Sequence, residues 1–256
     1  MIECGSLEYA QARMQARHGQ RADDAAWQRL AGAREHTALL DAARSSPLRA
    51  WVVGITPHSS AHEIEAVLRG HWRAVVGEVT GWMPPAWQPA IAWCTLAPLL
   101  PALQHLARGG PVRPWMSEDT LLRAVCAAPP EGRAAALGST AAAPLAPAWA
   151  APQTLGDAWW REWQHRLPRP LGGTGDSLRT VAGLLQAHGS AFAAAPPGPG
   201  TLLRRRLQVR LAPWLRRATA EPAAAFVHLA LCALDLERLR GELLRRALFP
   251  AEAEAA

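Results

Sequence analysis

Leu229, Cys232, Leu236, Leu239 and Leu243 recur at spacings of three and four residues. That spacing draws a single apolar stripe down a helix and predicts one over residues 221–250. Pro222 suits its first turn, where a missing N–H costs nothing. Arg245 and Arg246 complement the negative end of the helix, Glu242 pairs with one or the other, and Pro250 stops the helix. Gly241 is an internal weak point worth about 1 kcal/mol against alanine. Phe226, Val227, Leu231, Leu234 and Leu244 fall off the stripe, so the helix is expected to be contacted on two sides.

The same pattern predicts helices along the rest of the chain. Ser6 caps one over 7–18, ended by Gly19. A second is predicted over 23–43, carrying Trp27, Leu30, Leu39 and Leu40 and broken at Ser45-Ser46-Pro47. A short helix follows at 48–53. Ser60 and Glu63 form the Ser-x-x-Glu capping box of a helix through Ile64, Val67, Leu68, Trp72 and Val76. Ser117 opens another that runs toward Pro129, and further helices are predicted at 157–167 and from Asp176. Thr201 caps a basic helix over 202–211 that breaks near Pro213. The uncharged, Ala- and Pro-rich stretch 134–156 reads as a linker. It divides the chain into an N-terminal helical unit, 1–133, and a C-terminal one, 157–256, unless a single domain runs through it. Frayed ends are expected for the last residues, 251–256.

Residues 79–107 contain no Asp, Glu or Arg and invite a membrane-spanning reading. Pro84, Pro85, Pro89, Pro98 and Pro101 interrupt the run, and a spanning helix needs about 20 apolar residues in a row. A buried, kinked helix pair is expected instead.

Composition narrows the function classes. Half of the 256 residues are hydrophobic and 19% are charged, enough apolar material for a substantial core. β-branched residues are few and Ala, Leu and Arg abundant, which favours an all-α fold. All 27 basic residues are arginine. Without lysine there is no Walker A loop and no Schiff-base or pyridoxal phosphate chemistry. Cys4, Cys94, Cys126 and Cys232 are scattered with no CxxC pair, and no signal peptide is recognisable, so a reduced, cytoplasmic protein is expected. The net charge of +6 is uneven, with ten arginines against two acids between Arg161 and Arg217. A basic face of that kind suits an acidic protein, an anionic membrane surface or nucleic acid.

Candidate chemistry is sparse. His58 and His62 stand four apart, but a cap at Ser60 puts His58 outside the helix, so the imidazoles share no face and no metal site is expected. Gly172-Gly173-Thr174-Gly175 lacks dinucleotide-loop spacing, and no GxSxG or other nucleophile context occurs. Neither a catalytic residue nor a cofactor is expected. The candidate partner-binding residues are Arg204, Arg205, Arg206, Arg210, Arg216 and Arg217, together with Trp82 and Trp87, which the Pro-rich WMPPAWQP segment is expected to expose.

Two ends of the chain resemble the central-stalk subunit of V-type and archaeal-type rotary ATPases, called C in prokaryotes and d in eukaryotes. Tyr9-Ala10-Gln11-Ala12-Arg13, running on to Arg17-His18-Gly19, is similar to that family's N-terminal helix. Asp235-Leu236-Glu237-Arg238-Leu239-Arg240, with Arg245 through Pro250 after it, is similar to its closing helix. Pro101 through Gly110 is similar to the helix closing the family's first repeat, although the family's Asp-x-x-Asn-Leu is replaced there. The chain is also shorter than usual for three helical repeats. The resemblance implies an all-helical, funnel-shaped array of pseudo-repeated units, peripheral on the cytoplasmic face of the membrane. It implies a non-catalytic role in proton or sodium transport, with the rotor shaft and the proteolipid ring as partners and no small-molecule substrate. A stand-alone Arg-rich helical module that binds nucleic acid or an acidic protein is the alternative reading.

Overall fold

The computed structural model describes residues 5–249 apart from 170, 172, 197, 199, 218 and 219. Among these residues there is no β-strand, and the fold is all-α. The predicted frayed tail, the stop at Pro250 and Cys4 lie outside the described residues.

Local capping signals start the first helices. Ser6 accepts from the Tyr9 N–H at 3.1 Å to open α1 (Leu7–Gly19), and Asp23 accepts from Ala26 at 2.8 Å to open α2 (Asp24–Gly32). α3 (His36–Arg44) and a 3-10 helix, Pro47–Val52, follow. At α4 (Ala61–Trp82) the capping box is complete: the Ser60 N–H donates to Glu63 at 2.7 Å, and the Glu63 N–H donates back to the Ser60 hydroxyl at 3.2 Å.

The predicted helix over 23–43 is two helices, because Ala33 takes an extended conformation between α2 and α3. The cause lies far away in sequence. Arg246 is 2% exposed; its guanidinium donates to the carbonyls of Leu30 and Ala31, each at 3.4 Å, and to that of Ala33, from Nε at 2.8 Å. A helix end leaves carbonyls without partners, and a cation there also meets the negative end of the dipole.

Residues 85–107 are apolar and long enough to cross a membrane by length and composition alone, with a mean hydropathy of 1.3 in an 18-residue window of the 23. Instead of the expected helix pair they form a relay of short helices. A 3-10 turn (Pro85–Trp87) leads into α5 (Gln88–Trp93), a second 3-10 helix (Cys94–Leu99) and α6 (Leu100–Ala107). Three of the four prolines sit in first turns, where proline is tolerated. Indole N–H groups pin the relay: Trp72 donates to the Cys94 carbonyl at 3.1 Å, and Trp93 to that of Trp159 at 3.0 Å. α6 closes with Gly109 at φ +79°, its N–H bonded to the Leu106 carbonyl and that of Gly110 to His105. This is the Schellman arrangement, which needs a left-handed residue.

Trp82 and Trp87 correct the expectation of exposed anchors: they are 6% and 9% exposed. Trp82 ends α4 on its buried side, with the Arg13 guanidinium 5.3 Å above its ring and His228 beside it. Burial of these large indoles removes more apolar area from water than exposure at a Pro-rich turn would.

The stretch 134–156 is likewise no linker. After α7 (Pro114–Glu118) and α8 (Leu122–Ala127) it supplies most of α9 (Arg133–Gly138), 3-10 helices Ala143–Ala148 and Pro152–Thr154, and the start of α10 (Leu155–His165). Leu137 and Leu145 are fully buried, and a single hydrophobic core runs from Ala10 to Leu243. A charge-free Ala/Leu segment gains by burying itself; Pro144 and Pro152 sit in first turns, and Pro147 lies inside a 3-10 helix. The expected cap at Ser117 is also displaced. Asp119, buried, accepts from the Leu121 and Leu122 N–H groups and pairs with Arg73 at 2.6 Å.

α11 (Thr174–Ala194) and α12 (Gly200–Arg217) form a helical hairpin, and Pro213 lies inside α12 rather than ending it. α13 (Ala223–Leu248) occupies the centre and packs against α1, α3, α4, α11 and α12. The two-sided contact expected of the closing helix is therefore exceeded, and its first turns are buried all round.

Candidate docking surface

Two charged residues of α13, Asp235 and Arg240, pair with residues of distant segments. Arg21, two residues past α1, grips Asp235 of α13 through both carboxylate oxygens, Nε–Oδ2 at 2.7 Å and Nη2–Oδ1 at 2.8 Å. Its Nη2 also donates to the Leu231 carbonyl. Burial pushes the Asp235 carboxyl above its ordinary value, and Arg21 pulls against it. A second buried carboxylate, Glu65 of α4, accepts from Arg69 and from Arg240 of α13, the latter through Nε at 2.8 Å. Burial raises Glu65, but its two arginines outweigh that and hold it below the usual range, while Glu65 raises Arg240. Asp235 and Arg240 thus tie the closing helix to α1 and α4. They are structural ties, each with its counter-charge in place.

The predicted arginines all lie on α12 and divide by face. Arg204 turns inward, its guanidinium 4.9 Å from the Phe192 ring near the hairpin tip. Behind it a polar cleft of about 530 Å³ is shared with α2 and α13, lined by Asp24, Glu237 and Glu242 among others. Arg205, Arg206, Arg210, Arg216 and Arg217 are exposed. Among the described residues only Arg205 of these five comes within 4.0 Å of a carboxylate, Asp24 at 3.8 Å, and both partners are open to solvent. At 3.6 residues per turn, Leu202, Val209 and Pro213 share one line along the outward face. Arg205 and Arg216 flank that line on one side and Arg206, Arg210 and Arg217 on the other. Leu202 is 51% exposed, Val209 65%, and Phe192 at the end of α11 40%. The opposite side of α12 buries Leu207, Leu211 and Leu215.

No family model matches the chain, and no curated protein or solved structure does either.

The titratable groups outside this surface are quenched by burial rather than poised. Desolvation raises the thiols of Cys94 and Cys232 to about 12, so neither supplies a thiolate near neutral pH. Burial, aided by Arg21, His18 and Arg17, lowers His228 to about 4. His62 stands in α4 with His58 outside it, and among the described residues no group of three or more His, Cys, Asp or Glu is placed to hold a metal. Of the Gly-Gly-Thr-Gly stretch, Thr174 and Gly175 form the first turn of α11 and Asp176 pairs with Arg179; Gly172 lies outside the described residues. An apolar cavity of about 220 Å³ opens between α10, α11 and α13, walled by Trp159, Trp160, Trp163 and Phe226.

Sequence reasoning placed Arg246 beside Glu242, as found, but missed Arg21, Glu65 and the hold of Arg246 on the end of α2. For two of them the signal is amphipathic misplacement: Glu65 stands on the apolar line of Leu68 and Trp72, and Arg246 falls three past Leu243 on the stripe. Arg21 carries no signal, since it follows its helix.

Proposed function

We propose that this chain is a non-catalytic coupling subunit. It links the rotor shaft to the membrane proteolipid ring of a V-type-like rotary ATPase that transports protons or sodium ions, and it is peripheral on the cytoplasmic face. One observation carries the reading. The two segments that resemble the family pack on one another as α1 and α13, and Arg21, two residues past the first segment, pairs with Asp235, a position of the resemblance in the second. The all-α fold is consistent with it, and so is a central closing helix that touches both ends of the chain. A funnel of pseudo-repeats and a role confined to binding and transmitting torque belong to the same proposal. Mild-detergent extraction from native membranes tests it. The protein is expected to co-purify with the ring and shaft subunits, and its recovery free of both would reject the proposal.

The arginine face of α12 favours a second reading, a stand-alone module that binds nucleic acid or an acidic protein. Affinity for DNA or RNA that falls steeply with salt is its mark.

A further inference from the structure

We propose that the outward face of α12, together with the tip of the α11–α12 hairpin, docks onto the surface of an anionic phospholipid bilayer. The inference deepens the coupling-subunit reading and rests on it only for bringing the chain to a membrane.

The arrangement of the face selects the partner. Six arginines and no acid occupy α12, so the complementary surface is negative. Arginines alone would suit a phosphate backbone or an acidic protein equally. Here, however, an apolar line of Leu202, Val209 and Pro213 runs down the middle of the charged face, with arginines on both flanks. Three of the six large exposed apolar side chains among the described residues (Phe192, Leu202 and Val209) belong to this one hairpin. A helix lying in a membrane interface has this section: an apolar strip that enters the headgroup–acyl boundary, and cationic side chains that reach sideways to anionic headgroups. A nucleic-acid backbone offers nothing to the apolar line. The inner side of α12 is already committed to the core through Leu207, Leu211 and Leu215, so the helix can lie on a membrane without unfolding. Phe192 and Leu202 stand at the tip of the same hairpin, and Arg204, whose guanidinium lies over the Phe192 ring, braces that tip against the basic helix.

The purified full-length chain is sedimented with vesicles of phosphatidylcholine containing phosphatidylglycerol, and with vesicles of phosphatidylcholine alone. Binding to the anionic vesicles only, weakened by salt, is expected. Each arginine at an anionic surface contributes about 1 kcal/mol, so Arg206→Ala, Arg210→Ala and Arg217→Ala together should weaken binding by about 100-fold. Leu202→Ser with Val209→Ser should weaken it by about 10-fold at low salt, where the arginines are intact. All five side chains are exposed, so thermal midpoints should stay at the wild-type value in both variants and exclude misfolding as the cause. Equal partition onto the two vesicle types overturns the proposal, as does full binding by the triple variant. Tighter binding to duplex DNA that is indifferent to the Leu202/Val209 pair also overturns it, in favour of a nucleic-acid surface. The assay contains no ATPase subunits. Lost vesicle binding with retained co-purification removes only this proposal, and the converse result removes only the coupling reading.

Discussion

Arg246 shows how one side chain decides local structure from a distance. Its guanidinium takes up carbonyls at the end of α2 while its Nη1 holds Glu242 at 2.6 Å on its own helix. Arg246→Ala strips those carbonyls of their partner and leaves Glu242 without its closest counter-charge. A loss of roughly 3 kcal/mol is expected, measured as a shift of the urea midpoint at constant m-value. Arg245→Ala, three residues from Glu242 at 3.8 Å and half exposed, should stay within about 0.5 kcal/mol. His228 sets a pH dependence whose sign is fixed. Its folded value of about 4 lies below the ordinary 6.5, so the unfolded chain binds the proton first as pH falls. Stability is full above about pH 6.5 and declines toward pH 4, by roughly 3 kcal/mol from this residue. His18, His36 and His188 are lowered in the same direction by burial. Urea titrations at pH 7 and pH 5 should show the decline, and His228→Gln should flatten it.

At the scale of elements, the stretch 134–156 is the strongest contrast between appearance and structure. Its alanines and prolines look like a tether, yet Leu145 is fully buried against α10 and Leu137 packs beside it. Leu145→Ala should therefore cost about 2–5 kcal/mol, as a core position does, and limited proteolysis of the native chain should spare 134–156. Early cleavage there, or a negligible cost of the substitution, would restore the tether. The hairpin of α11 and α12 is the opposite case. One side is held by three buried leucines and the other is turned to solvent with apolar and basic residues interleaved, which marks it for contact rather than for the core.

Across the whole molecule, the ends of the chain are joined before the middle is considered. α1 and α4 both pack on α13, and two buried carboxylates, Asp235 and Glu65, fix that packing with arginines from distant segments. Such pairs are poor evidence of net stability and better evidence of specificity in how helices are matched. The coupling-subunit proposal draws on this packing of α1 against α13, and its test by co-purification belongs at this scale.

By itself the sequence determined the helical class, the capping at Ser6 and Ser60, the extent of the closing helix through Leu248, and the arginine cluster of α12. These rest on interactions between residues a few positions apart, where spacing and side-chain type carry the physics. Tertiary structure alone decided the break between α2 and α3, the burial of Trp82 and Trp87, the folding of 134–156, and the partners of Glu65 and Asp235. Each depends on a side chain some tens to hundreds of positions away that supplies a hydrogen bond or covers apolar surface, and periodicity holds no record of such a partner. The division of the α12 arginines falls between the two. Their number is written in the sequence, but their outward face exists because Leu207, Leu211 and Leu215 found a core to enter.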